Sequence, residues 1–483
     1  MGLRSRLLLK YKQDIIDDLA EVKEKPAAEV EHLFESTPEP EPESIVEESG
    51  IDLVDEYLSD HEKNFRLIVL EKLLAAIDLS KIGKLEEDEA RKQIQELAQS
   101  IINEQDIPLG MDSRKKIIQL VEDEILGLGP LEMIMRDPSC SEIMVNGPKK
   151  IFIEKGGKLT LSSVQFDDDE HEMRIIDRIV SRVGRRVDES SPMADARLAD
   201  GSRVNIIIPP LALDGPVITI RRFPSDPLKL KDMVGFKALS PGMAEFLSSI
   251  VKVGKNILIS GGTGSGKTTA LNALSAFIPA EERIVTIEDA AELQLQQSHV
   301  VRLETRPTNI EGNGEISQRD LVRNGLRMRP DRIVIGEVRG AEAMDMLQAM
   351  NTGHDGSLTT THANTPRDAL SRIENMVAMG GFELPMKAVR NQIASAIHYV
   401  VQVQRLEDGS RRMTNISEII GMEGEIITMS ELFAFERRGL DQNNKIVGAF
   451  KPSGALPACM SELERRGINL DVDYFDPENE TLV

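Results

Sequence analysis

Two cysteines in 483 residues, Cys140 and Cys459, are too few and too far apart for a disulfide framework or a cysteine-rich zinc site. Long apolar runs are missing as well. A membrane span needs roughly 18 consecutive apolar residues, and patches such as Val204 to Leu213 are short and broken by prolines. Met1 to Lys12 is basic and partly apolar, but Gln13-Asp14 follows without a small-residue cleavage site, and Arg6 stands where N-myristoylation wants Ser or Thr. These absences lead us to expect a soluble, cytoplasmic protein. Positive charge is also scarce: the net charge is −23. Proteins that grip nucleic acid draw most of their affinity from counterions released by a basic face, so no nucleic-acid partner is expected. The local basic patch Arg182 to Arg186 reads as a solvated or interface-forming helix end. No guanine-selecting Asn-Lys-x-Asp stretch occurs, which leaves ATP as the expected nucleotide.

The length implies two or three domains. Residues 1–60 hold 17 Asp/Glu against 6 Lys/Arg, a balance of −11, and include the low-complexity stretch Thr37 to Glu43. Such a segment cannot bury enough apolar surface to offset its chain entropy, so an acidic disordered tail is expected. Leu7 to Val22 could form one amphipathic helix within it. Over 61–127 the apolar spacing is helical, through Leu67, Leu70, Leu74, Ile77, then Ile94, Leu97, Ile101, and Ile117, Leu120, Val121. That predicts a small helical bundle. Over 128–223 short alternating strands (142–145, 150–154, 203–208, 217–221) surround one helix at 168–183, an α+β pattern. A linker is expected at 224–234, a doubly wound α/β domain at 235–440, and a C-terminal extension at 441–483.

Gly261-Gly-Thr-Gly-Ser-Gly-Lys-Thr268 matches the phosphate-loop pattern in full. The small residues Gly261, Gly262, Thr263, Gly264, Ser265 and Gly266 let backbone N–H groups curl around a β-phosphate. Lys267 reaches the β/γ-phosphates and the Thr268 hydroxyl holds Mg²⁺, with Thr269 continuing the helix. The buried-strand pattern Asn256 to Ser260 precedes the loop, and a helix whose N-terminus attracts anions follows it. Asp331 to Val338 supplies a second strand, ending in Glu337, where a base that orients the attacking water would sit. The usual magnesium-binding Asp is replaced by Gly336. The metal's outer shell is therefore expected from Glu288 and Asp289 at the end of a third strand, with Glu292 as a further carboxylate; helix-capping carboxylates are the plain alternative. His354 and His362 lie eight apart, an even spacing that would point both the same way along a strand. They read as γ-phosphate sensors or as structural histidines, since no nearby Cys completes a zinc site.

Together these residues resemble the secretion superfamily ATPases of the type II/type IV class, and most closely the Tad/Flp pilus motors (CpaF/TadA). The resemblance runs from about residue 60 onward. It is carried by Gly129-Pro-Leu-Glu132, Ser141 to Gly147, Gly184 to Asp188, Asp195 to Val204, Thr219 to Phe223 and Arg327 to Asp331. Asp289 to Glu292 resembles the family's aspartate box, Glu337 its atypical Walker B, and His354 with His362 its histidine box. The resemblance implies a RecA-like P-loop ATPase domain preceded by a PAS-like α+β domain and a helical segment. It also implies a homo-hexamer, peripheral at the inner membrane, that drives a pilus through a membrane platform protein. Arg203 and Arg221 match the family's arginine fingers, with Arg197 and Arg222 as reserves. The alternative is a traffic ATPase of a secretion or conjugation system. The tetra-cysteine zinc module of type II members cannot be built from two cysteines.

Overall fold

The computed structural model describes residues 60–77, 86–105, 109–222, 227–306, 308, 313–382 and 384–483. The expected acidic tail and its candidate helix, apart from Asp60, lie outside the described residues.

Three helices come first, α1 Asp60–Ala76, α2 Glu87–Glu104 and α3 Met111–Leu126. They pack on one another through Phe65, Val69, Leu73, Ile94, Ala98, Ile102, Ile117 and Val121, all buried. On α1 this is not the expected stripe: Leu67 and Leu74 are 47% and 45% exposed. Both stripes have helical spacing, so periodicity alone does not choose between adjacent faces of a helix whose apolar residues are not confined to one narrow stripe. α3 ends in three buried acids, Glu122, Asp123 and Glu124. Each has a basic neighbour: Arg91, Arg136 and His171 respectively.

After the short α4 (Leu131–Met135), six strands form an antiparallel sheet: β1 Cys140–Asn146, β2 Ile151–Lys155, β3 Lys158–Leu161, β4 Met193–Arg197, β5 Arg203–Ile207 and β6 Val217–Arg221. Their order is β3-β2-β1-β6-β5-β4. One helix, α5 Asp169–Arg182, presses Ile175, Ile176, Ile179 and Val180 onto Ile143, Val145, Ile206 and Ile218. The sequence reading lacked both edge strands. β3 is exposed at all four positions, so no burial alternation marks it.

The rest of the chain is built on one ten-stranded sheet. α6 Leu230–Gly235 falls where a linker was expected, and its Leu230 and Met233 enter the core. Then come α7 Pro241–Lys252, β7 Ile257–Gly261, α8 Lys267–Ser275, β8 Ile284–Glu288, β9 Val300–Glu304, α9 Gln318–Gly325, β10 Arg332–Ile335, α10 Glu342–Asn351, β11 Leu358–Thr361, α11 Pro366–Met379, α12 Met386–Ala396 and β12 Tyr399–Arg405. The chain closes with β13 Arg411–Glu423, β14 Ile426–Leu440, β15 Ile446–Pro452, α13 Met460–Arg465 and β16 Thr481–Leu482. The order is β16-β15-β14-β13-β12-β7-β11-β10-β8-β9, parallel from β12 to β9 and antiparallel beyond β12.

The parallel strands β7, β8, β10 and β11 are buried at every position, as helices on both faces require. Along β7, Ile257 and Ile259 enter one core and Leu258 the other, the period-two alternation of a strand. The expected extension 441–483 is integral to this domain: Phe450, Leu463 and Phe475 share a core with Phe246 and Phe433.

Candidate active site

β7 delivers the chain to Gly261, and α8 begins at Lys267. Between them Gly264 and Gly266 have φ of +69° and +98°, the left-handed region that favours glycine. A Cβ on Gly261 would lie 2.3 Å from the Val403 carbonyl of β12, whereas one on Gly262 would meet nothing within 4 Å. The loop is thus pressed against the sheet on one side and open on the other. Lys267 is buried, and its Nζ donates to the carbonyls of Gly261 (3.1 Å) and Gly262 (3.0 Å). Burial pushes its pKa below the ordinary lysine value, partly offset by Glu337.

Glu337 follows β10, Asp289 follows β8 and His362 follows β11, three adjacent parallel strands that end on the loop side of the sheet. Lys267 Nζ is 3.3 Å from His362 Nδ1, and His362 Nε2 is 3.0 Å from Glu337 Oε1. Burial, reinforced by the Lys267 charge, holds His362 below the usual histidine pKa. A neutral ring with Nδ1 accepting from Lys267 satisfies the first contact. The Nε2 contact lacks hydrogen-bond angles, so Glu337 Oε1 is buried with no hydrogen-bond partner. Glu337 Oε2 accepts from Arg339 Nη2 at 2.9 Å, and Arg339 Nη1 donates to Asp289 Oδ2 at 3.2 Å. Beside the loop a cleft of about 550 Å³ is lined by Gly262, Thr263, His362, Asn364 and Arg372.

The carboxylates of β8 divide their work. Glu288 is buried, and its Oε2 accepts from the backbone N–H of Glu292 (2.7 Å) and Leu293 (3.0 Å), while Oε1 has no partner. Burial pushes its carboxyl up to about 7. Its Cγ would stand 2.9 Å from a Cβ on Gly336. A side chain there would press on the Glu288 methylene of the neighbouring strand, which accounts for glycine at the place of the usual Asp. Burial also raises the Asp289 carboxyl, against the pull of Arg339. Among the described residues no group of three or more His, Cys, Asp or Glu could hold a metal. Of the expected metal set of Thr268, Glu288 and Asp289, Glu288 already spends its Oε2 on two backbone donors. Thr268, half-buried in the first turn of α8, would hold Mg²⁺ together with phosphate oxygens and water.

The remaining expected residues separate. Arg203 Nη1 donates to Glu292 Oε1 across to the ATPase domain, and Arg197 Nη2 reaches Glu304 Oε2 at 2.6 Å. Arg221 turns to Glu142 of its own sheet (2.8 Å), and Arg222 binds the Asp137 and Cys140 carbonyls, so neither is brought to the loop. His354 lies in the turn before β11, at the opposite end of the strands from the phosphate loop, its Nδ1 3.3 Å from the Ala349 carbonyl. The even-spacing argument fails there because the strand starts only at Leu358; a turn at Gly356, packed on Arg332, intervenes. Sequence reasoning missed Gln318, which donates to the Glu337 carbonyl at 2.9 Å. It also missed Arg411, which donates to the Gly264 carbonyl at 2.9 Å. No motif marks either; only the topology brings them in.

The phosphate loop, the Walker-type strand end and the parallel sheet define a RecA-like P-loop ATPase. The chain belongs to the type II/IV secretion system protein family, whose model matches residues 124–447. It is similar to a putative conjugal transfer protein of Mycobacterium tuberculosis, 36% identical over 315 residues, 64% of this chain and 89% of the relative. It is also similar to the type IV secretion system protein VirB11 of Bartonella quintana, 32% identical over 330 residues, 60% of this chain and 91% of the relative. Of solved structures, the VirB11 ATPase of Brucella suis is 29% identical and covers 60% of this chain and 96% of its own, with a TM-score of 0.34. Membership makes the chain an ATP-hydrolysing secretion ATPase. No helix among the described residues is long and apolar enough to cross a membrane.

Proposed function

We propose that the chain is the traffic ATPase of a conjugation or type IV secretion machine, working as a homo-hexamer against a membrane platform. The similarity to a protein named for conjugal transfer supports this choice of machine. Assembly of a Tad/Flp pilus is the second reading, favoured by the ordered stretches from Gly129 to Asp331.

The observation that carries the chemistry is the line Lys267–His362–Glu337–Arg339 at the mouth of the phosphate loop. Lys267 would exchange the loop carbonyls it now binds for phosphate oxygens and meet the charge that develops on the transferred group. Glu337 Oε1, buried and without a hydrogen-bond partner, is the acceptor available to orient an attacking water. Its other oxygen is fixed by Arg339, which gives the carboxylate one free face. His362, neutral between cation and carboxylate, would register loss of the γ-phosphate. Mg²⁺ held through Thr268 would neutralise charge on the phosphates. Arg203 is the finger candidate the geometry favours, and it must leave Glu292 to act. The test is gene neighbourhood together with transfer: deletion of the gene should abolish DNA or protein export with any filament intact. Loss of the filament alone would move the assignment to the pilus reading.

A further inference from the structure

The last strands of the ATPase domain bring two arginines to the phosphate loop on the side away from Glu337. β12 ends at Arg405 and β13 begins at Arg411, and the two are directly opposed in register. Arg411 Nε donates to the Gly264 carbonyl at 2.9 Å, and its Cδ lies 3.5 Å from where a Cβ on Gly266 would stand. Arg405 Nη1 is 3.9 Å from the corresponding point on Gly264. Both side chains are exposed. Arg405 makes no hydrogen bond or ion pair among the described residues, and Arg411 meets only the loop carbonyl. Like charges directly opposite on antiparallel strands destabilise the pair. Acids are not in short supply, with 81 Asp/Glu against 58 Lys/Arg in the chain. Two opposed, unneutralised guanidinium groups beside an anion-binding loop form a cationic pair suited to an anion.

The hairpin that carries them is pinned. Leu406 N donates to the Ser410 carbonyl, and the Asp408 carboxylate accepts from Ser410 N (2.9 Å), Ser410 Oγ (2.6 Å) and Ile446 N of β15 (3.0 Å). The sheet order then gives the direction. Glu337 and His362 follow β10 and β11 on one side of β7, and β12 lies on the other. A phosphate chain with its reacting end beside Glu337 must leave across the loop toward β12.

We propose that Arg405 and Arg411 grip the α-phosphate of the bound nucleotide as positioning residues that anchor its non-reacting end. Planar guanidinium groups suit this task because they can bind phosphate oxygens in a bidentate fashion. The proposal rests on the ATPase reading above and assigns to that site residues outside its motifs. The α-phosphate is common to ATP and ADP, so affinity for both should depend on the pair, and the dependence should weaken with salt because both groups are exposed.

The test measures ATP turnover and ADP binding by the full chain, its Arg405→Ala/Arg411→Ala variant and its Arg405→Lys/Arg411→Lys variant. The Ala pair should raise KM for ATP and Kd for ADP each by about tenfold, lower kcat less than twofold and leave oligomer size unchanged. The Lys pair should recover part of the loss. Arg437→Ala, which removes from β14 a cation paired with Glu407 of the hairpin, should change none of these. Unchanged KM and ADP affinity would overturn the proposal. So would weakened ATP with unaffected ADP, which marks a γ-phosphate contact, or oligomer loss with unaffected ADP, which marks an interface. If the parent turns over no faster than Lys267→Ala, the ATPase reading itself has failed, and this outcome is separate from the others.

Discussion

Gly336 and Glu288 share one space, and this decides which carboxylates are left for chemistry. Because the Glu288 side chain comes within 2.9 Å of where a Cβ at 336 would stand and ties its Oε2 to two backbone donors, it serves as a brace for the turn after β8. Crowding of this kind costs about 1–3 kcal/mol. Gly336→Ala and Gly336→Asp should therefore lower the melting temperature by similar amounts, because the first side-chain atom already clashes. Thermal unfolding of both variants checks this; an intact Ala variant beside a damaged Asp variant would point to charge instead. The phosphate loop and Glu337 were legible in the sequence because a fixed spacing of small residues, one Lys and one Thr is the chemistry itself. The bracing role of Glu288 was not, because it depends on which strands end up adjacent. His354 was misplaced for a related reason: spacing along the chain fixes direction only within a continuous strand.

At the scale of elements, the start of α5 holds two buried titratable groups. Glu172 is fully buried, neither of its carboxylate oxygens has a partner, and burial with nearby Asp169 pushes its pKa to about 8. Burial lowers the His171 pKa, but Asp167 and Glu124 outweigh it and raise the group to about 9. Both folded-state pKa values lie above the unfolded ones. Between about pH 4.5 and 8 the folded state holds the Glu172 proton that the unfolded chain has released, and between 6.5 and 9 it holds that of His171. Stability contributed here therefore falls as pH rises. Glu172→Gln should flatten the decline of melting temperature between pH 5 and 9, and a slope equal to the parent's would contradict the burial argument. The C-terminal segment offers a second check. Phe475 packs edge-on against Phe246 at 5.6 Å between ring centres. Phe475→Ala should cost about 3–5 kcal/mol, read by urea unfolding, whereas a dispensable extension would cost almost nothing. The sequence marked the alternating α/β core well, because buried parallel strands are short apolar runs between helices. Its end at 440 was set by a loss of that alternation, although antiparallel β15 continues the same sheet.

Across the whole molecule, the α+β and ATPase domains meet through exposed charge pairs, Arg203 with Glu292 and Arg197 with Glu304. Exposed ion pairs hold weakly, typically below about 1 kcal/mol, so little energy is needed to break this contact. Arg203→Ala should lower kcat strongly and leave nucleotide affinity within a few-fold, whereas Arg221→Ala, tied to Glu142, should have the smaller effect. Equal losses in the two variants would show that Arg221 also reaches the site. The central claim is that Lys267 and Glu337 make this chain an ATP hydrolase. Phosphate release from ATP and Mg²⁺, measured for the parent and Glu337→Gln beside their ATP affinity, tests it most directly. The account expects turnover to fall at least a hundredfold in the variant with ATP affinity within a few-fold of the parent. Phosphate release at the parent rate from Glu337→Gln would contradict it.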